Sequence, residues 1–233
     1  MSSPLTVTLH VWSIRRRHVP LALTEMARGT RRIRRQPGVT FAKQLGTGGD
    51  RFVVNDADPL HWATLMVWDD PAKAEAADEH PVVRRWNSFA QEQWRADLRP
   101  ISTHGKWSRK QPFGTISPPE KHDGPIGAIT RARLKAAKAT TFWKAVPPVA
   151  NSLRGSQGLI TTIGIGEAPV GVQGTFSLWE SAEDLKRYAY EAGAHQQAIQ
   201  RTAEVGWYGE ELFARFAVIR TTGTLHRQQI NLP

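Results

Sequence analysis

The side chains in this sequence best suited to chemistry at neutral pH are its eight histidines, at 10, 18, 61, 80, 104, 122, 195 and 226. They are scattered singly, which excludes a two-histidine helical metal site of the HExxH kind and leaves a one-histidine site open. His195 stands apart. Leu185, Tyr188, Ala192, His195 and Ile199 follow steps of three, four, three and four, the stripe of one buried helix face, so His195 is expected to point inward. Ala192-Gly193-Ala194 precede it, small residues that leave room for a flat ligand, and a glycine inside a helix is otherwise costly. On spacing alone, His195 is either a satisfied core histidine or the neutral imidazole that a five-coordinate haem iron requires.

Arg131 and Arg133 share one face of an alternating run with Ile129. Guanidinium forks turned to a packed side would suit carboxylates such as haem propionates, and the alternative is a solvated strand edge. Two Gly-rich segments invite a phosphate reading and do not fit it. Gly46-Thr47-Gly48-Gly49 has neither GxGxxG nor Walker spacing, and Gly164-Ile165-Gly166-Glu167 leads to Ala168-Pro169, not to a helix start. Both are expected to form turns. No nucleophile elbow is present. With no cysteine, thiolate nucleophiles, disulfides, iron-sulfur clusters and a thiolate-ligated haem are excluded.

These residues are carried by a repeated order of elements. Thr64 to Asp70 ends a β-rich run in Trp plus an acid, a helical stretch follows from Pro71 to about Ala90, and Trp94 opens another strand. Thr175 to Ser181, a helical stretch from Ala182 to about Thr202, and Trp207 to Phe213 repeat that order. Asp70 before Pro71, and Ser181 before Glu183 and Asp184, are helix-start chemistry. Upstream, strands at Leu5–Ile14 and Ile126–Leu134 precede helices at Val19–Arg35 and Thr140–Leu153, the latter broken or bent at Pro147-Pro148. Strands at Val39–Leu45 and Leu159–Ile165 follow. Each half thus reads βαββαβ, a ferredoxin-like unit. The expected fold is α+β, two tandem ferredoxin-like repeats forming a pseudo-symmetric dimeric α+β barrel. Residues 1–102 and 124–233 are the repeats, and 103–123 is a linker whose Trp107 and Phe113 suggest that it packs down.

Composition adds bounds. Hydrophobic residues at 40% and charged residues at 22% describe a folded globular chain. Nine tryptophans suit a core or the walls of a pocket for a flat apolar ligand. The formal charge of +10 concentrates in Arg15-Arg16-Arg17 and in Arg31-Arg32 with Arg34-Arg35. No zinc finger, RNP-type motif or GXXG loop accompanies it, so nucleic-acid binding is not expected. Residues 1–8 do not read as a secretory signal and no run is apolar enough to span a membrane, so a cytoplasmic location is expected.

Several motifs together resemble spheroidene monooxygenase and its bacterial relatives, enzymes of carotenoid ketolation. They are Gly105-Lys106-Trp107-Ser108, Gly127 through Ala132, Phe142-Trp143, Ile163 through Glu167, Thr175 through Trp179, Tyr188 through His195, and Gly206 through Phe216. The resemblance implies a haem-dependent monooxygenase with His195 as proximal iron ligand. It further implies Arg131 on a propionate, and Phe142, Trp143 and Trp179 as cavity wall. Haem b would be the cofactor, a small apolar molecule the substrate and a protein the electron donor, with peripheral membrane contact and homo-oligomerisation compatible with the reading. The architecture is also similar to the dimeric α+β barrel haem proteins, which include aldoxime dehydratases. A haem-dependent dehydratase or nitrogen-chemistry enzyme, and a cofactor-free oxygenase using His195 as a base, are therefore the competing activities.

Overall fold

The structure, a computed structural model, describes residues 4–49, 56–167, 174–191 and 193–232; the side chains at 147, 149, 191, 194, 195, 197, 198, 199 and 203 lie outside that description. The first repeat runs β1 (Thr6–Ile14), α1 (Val19–Ile33), β2 (Val39–Gly48), β3 (Ala57–Trp68), α2 (Pro71–Glu75), α3 (Pro81–Asn87) and β4 (Ala90–Gly105). The second runs β5 (Ile126–Leu134), α4 (Ala139–Arg154), β6 (Leu159–Gly166), β7 (Gly174–Trp179), α5 (Ala182–Glu191), α6 (Gly193–Val205) and β8 (Tyr208–Leu225), with a short β9 (Gln228–Gln229).

Strand order β4-β1-β3-β2-β6-β7-β5-β8, with β8 returning to β4, closes an eight-stranded antiparallel barrel. Closure removes every free edge except at the ends. The barrel is filled by inward side chains of both repeats, among them Leu9, Leu65, Trp94, Ile129, Phe176 and Phe216. The helices cover its outside. Trp12, Trp62 and Trp68 of the strands pack with Trp86 of α3 in the layer between the sheet and the first repeat's helices. Ile126, Ala128 and Trp179 of the strands pack with Ala150 and Leu153 of α4 and Leu185 of α5 in the layer between the sheet and the second repeat's helices.

Two expectations about the helices change. The helix expected over 71–90 is two helices, because Pro81 cannot donate into a preceding turn. His80 is instead extended, at φ −60° and ψ 130°, and its Nδ1 caps the Val82 N–H of α3. The helix expected over 182–202 is helical on both sides of residue 192, which lies outside the described residues, as α5 and α6. α4 runs through Pro147-Pro148, anchored on both sides by its own Val146, Ala150 and Leu153, which pack toward the sheet.

The Gly-rich segments are not turns. Gly46, Thr47 and Gly48 pair with Gly166, Ile165 and Gly164, so they are the strand residues that join β2 of one repeat to β6 of the other. The residues between the repeats do pack down. Trp107 and Phe113 are buried in the barrel core, Phe113 edge-on to Phe216 at 4.9 Å and Trp107 against Phe41 at 5.7 Å. Trp107 to Lys110 form a tight turn in which Ser108 and Arg109 have φ of 53° and 62°.

Candidate active site

Register relates the two repeats residue by residue. His10 faces Thr64 and Arg95 as Thr130 faces Thr175 and Phe213, and Met66 faces Ala42 as Ser177 faces Thr162. Continuing along the strands sets Trp12 against Ala132 and Gln44 against Gly164. These residues lie on the helix-facing side of the barrel wall, because strand side chains alternate and Ile129, Ile163 and Phe176 point inward.

In the first repeat that side is filled. Trp12 stacks on Trp86 at 5.2 Å and on His10 at 5.6 Å, and Gln44 lies flush against Gly29 of α1, where a Cβ would stand 2.1 Å from its Nε2. In the second repeat the equivalent positions are small or hydroxylic. Thr130 is exposed although β5 is paired on both sides, and its neighbour Phe213 is 39% exposed. A central strand shows side chains to solvent on its helix side only where the helices stand off from it. The result is a slot between the second repeat's sheet and its helices.

Aromatic rings close both ends of the slot. At one end Phe142 contacts Trp143 at 5.1 Å, Trp207 at 5.5 Å and Tyr208 at 5.9 Å, and Trp207 Nε1 donates to Thr141 Oγ1 at 3.0 Å. At the other, Trp179 stacks on Tyr188 at 5.3 Å and donates to Ser177 Oγ at 2.8 Å. Burial pushes the Tyr188 hydroxyl up to about 12, against its bond to Ser152 of α4, so it stays protonated. The distance along α4 from Phe142 to Ser152 is about 15 Å at the rise of an α-helix. Tyr208 hydrogen-bonds Thr202, and Lys138 Nζ donates to the Val205 carbonyl, pinning the C-terminal end of α6.

The sequence-derived residues therefore separate into two places. Phe142 and Trp143 are half-buried at the slot, and Trp179 is fully buried in its closed end. His195 belongs to α6, and its side chain lies outside the described residues, as do those of Ala192 and Ile199 from the same stripe; Leu185 is buried and Tyr188 half-buried, as that stripe expects. A Cβ on Gly193 would meet nothing within 4 Å. Arg131 is not with them. It is 3% exposed and points into the barrel, on the other face of the wall.

There Arg131 joins a cluster that spacing did not reveal. Its guanidinium donates to Glu167 at 2.6 Å and to Glu210 at 2.5 Å and lies 5.6 Å from the Trp107 ring centre. Lys43 Nζ donates to Glu167 and, at 2.7 Å, to Ser108 Oγ, while Trp107 Nε1 donates to Glu167 at 2.8 Å. Glu210 also accepts the Ser108 and Arg109 backbone N–H groups, at 3.0 and 2.6 Å, which fixes the linker turn. Burial pushes the Glu167 carboxyl up, but Lys43, Arg131 and Trp107 outweigh it and hold it below the ordinary range. The signal for this cluster was present in the sequence, since Trp107, Arg131, Glu167 and Glu210 each stand in a separate motif.

Among the described residues no group of three or more His, Cys, Asp or Glu gathers as a metal site. No helix among them is long and apolar enough to cross a membrane.

No family model matches the chain. It is 34% identical over 209 residues to spheroidene monooxygenase of Rhodobacter capsulatus, covering 88% of this chain and 86% of that protein. The chain belongs to the spheroidene monooxygenase family. The Rubrivivax gelatinosus member is 33% identical over 81% of this chain and 72% of its own length. The Cereibacter sphaeroides member is 35% identical over 80% of this chain, and the match spans 58% of that longer protein. Family membership makes the chain an oxidoreductase of the monooxygenase type. Its fold is also that of a solved aldoxime dehydratase, with a TM-score of 0.57 and 13% identity over 92% of this chain and 81% of the other.

Proposed function

We propose that this spheroidene monooxygenase family member is haem-dependent and oxidises a small, largely apolar molecule of carotenoid-like character in the slot of its second repeat. The observation that carries the reading is the register comparison. Where the first repeat has His10, Trp12, Gln44 and Met66, the second has Thr130, Ala132, Gly164 and Ser177, and that exchange clears a flat space against a sheet.

The slot fits a haem. Aromatic rings at its ends would meet the edges of a macrocycle, its floor is small, and α6, which packs on α4 and α5, carries His195, the residue that would hold the iron. Phe142 and Trp143 would pack on the group, and Trp179 would support the closed end through Tyr188. Arg131 lies behind the wall, so its part is to fix β5 from the barrel side. When bound, the haem would supply the oxidising power.

The chain's own residues orient and exclude. Thr130 and Thr175 are cross-strand neighbours whose hydroxyls have no partner among the described residues, whereas Thr162 Oγ1 donates to the Phe176 carbonyl. They are the floor groups able to donate a hydrogen bond to a bound molecule in otherwise apolar surroundings. A separate protein would deliver the electrons, and the sequence carries no dinucleotide fingerprint for doing so itself.

Hemin titration with absorption spectroscopy tests the proposal. A strong Soret band is expected in the wild type, lost in His195→Ala and restored by added imidazole. A protein that fails to take up hemin, or that turns over substrate when metal-free, overturns it.

A further inference from the structure

The N-terminal half carries a cleft that the proposed reaction does not use. Arg32, Arg35 and Gln36 at the end of α1 stand across about 260 Å³ from His80 and Val82 at the start of α3 and Arg85 in its last turn. Glu25 reaches Arg32 and Arg85 at 3.5 Å each, long for charge-assisted bonds, and its Oε2 makes no hydrogen bond. Arg35 has no carboxylate partner among the described residues. Three guanidinium groups against one carboxylate leave two positive charges in the cleft.

His80 gives an independent indication. It is 7% exposed, its Nδ1 accepts the Val82 N–H at 3.1 Å, and that bond places the ring proton on Nε2. Nε2 is buried without a partner. A buried donor left unmade is costly, and His80 is one of the residues that line the cleft. Burial, and then the nearness of His10, lowers the pKa of His80, so the ring is a neutral donor at neutral pH.

We propose that this cleft binds a phosphate-class oxyanion, held by Arg32, Arg35 and Arg85 and by the Nε2–H of His80. Guanidinium forks match phosphate oxygens two at a time, and a dianion balances the two uncompensated charges where a carboxylate would balance one. The volume exceeds that of a single phosphate, so a phosphomonoester enters with part of its attached group. Exposed Arg28 and Arg31 on α1 and Arg84 on α3, the two helices that flank the cleft, add to its positive field.

Calorimetric titration of the full chain with inorganic phosphate, against chloride at constant ionic strength, tests this. Saturable binding is expected, weakened at least about tenfold in Arg35→Gln and in Arg85→Gln. His80→Asn keeps a cap acceptor for Val82 while removing the Nε2 donor. It is expected to weaken binding with the thermal midpoint retained, while Arg133→Gln, on the other repeat, leaves binding unchanged. Sedimentation with phosphatidylcholine vesicles containing phosphatidate identifies the source: vesicle binding competed by free phosphate assigns a lipid headgroup, and no vesicle binding assigns a soluble phosphate. Absence of saturable phosphate binding, or unchanged affinity in both arginine variants, overturns the proposal.

Discussion

His10 and Thr130 hold the same place in the two repeats, each on a central strand between two cross-strand partners, yet His10 is 3% exposed and Thr130 is open to solvent. The fold itself does not need the position filled, since the barrel interior closes behind it in both halves. The difference locates the open space.

Thr130→Trp should fill that space without harming the fold. Exposed substitutions usually shift stability by no more than about 0.5 kcal/mol, so the thermal midpoint is expected to hold. Hemin affinity, read from the Soret band, should fall at least about tenfold, as an indole occupies the floor on which the ring would lie. Wild-type hemin uptake in this variant would place the cofactor elsewhere.

Barrel closure offers a second test. Gly105 has φ of +88°, and a Cβ there would stand 2.2 Å from the Glu211 carbonyl oxygen across the β4–β8 pair. Gly105→Ala should therefore cost at least about 2 kcal/mol, from left-handed strain plus a backbone clash. Gly155, at φ −95° with nothing within 4 Å of a Cβ, is the control. Its alanine variant should be neutral or more stable by about 0.5 kcal/mol. Urea unfolding of both measures the difference.

Much of the fold was legible because the features that build it are local. The Ile126–Leu134 alternation, the Asp70-Pro71 helix start and the Trp-plus-acid strand ends each specify an element from a few adjacent residues. The Gly46 to Gly48 segment was not legible, because glycines form strand or turn according to what lies beside them, and here that is β6, more than a hundred residues away. The helix break at His80-Pro81 had a visible signal in Pro81, overridden by the helical spacing around it. The face of Arg131 was readable from Ile129, but its partners Glu167 and Glu210 come from other strands, and no spacing joins them.

The His10 network makes stability depend on pH near neutrality. Burial lowers the His10 pKa despite its 3.0 Å bond to Asp78, so the folded state keeps the ring neutral. Below the ordinary value of 6.5 the unfolded chain binds a proton that the folded chain refuses, and stability falls as pH falls. The slope approaches about 1.4 kcal/mol per pH unit for such a group. His10→Phe retains a ring on Trp12, and Asp78 keeps its 2.8 Å bond to Arg95. Urea unfolding between pH 7 and 5 should show a smaller slope in the variant; an unchanged slope would mean that His10 titrates normally.

The barrel cluster acts at lower pH and with the carboxylate sign. Arg131 is the cation shared by Glu167 and Glu210, and its removal leaves Glu210 with only the backbone N–H groups of the linker turn. Arg131→Met should cost about 3–5 kcal/mol, the usual result of stripping one partner from a buried pair. Arg131→Met with Glu210→Gln should recover part of that loss, because no orphaned charge remains. Burial raises both carboxyls, and their hydrogen bonds and cations outweigh it, so both titrate below the ordinary 4.5. The stability they contribute is complete above about 4.5 and is lost as pH falls through their folded values. Acid unfolding followed by tryptophan fluorescence, with Trp107 in contact with the cluster, should begin at higher pH in Arg131→Met than in the wild type. Coincident acid transitions would show that the linker turn and the two repeats are held together by apolar packing alone.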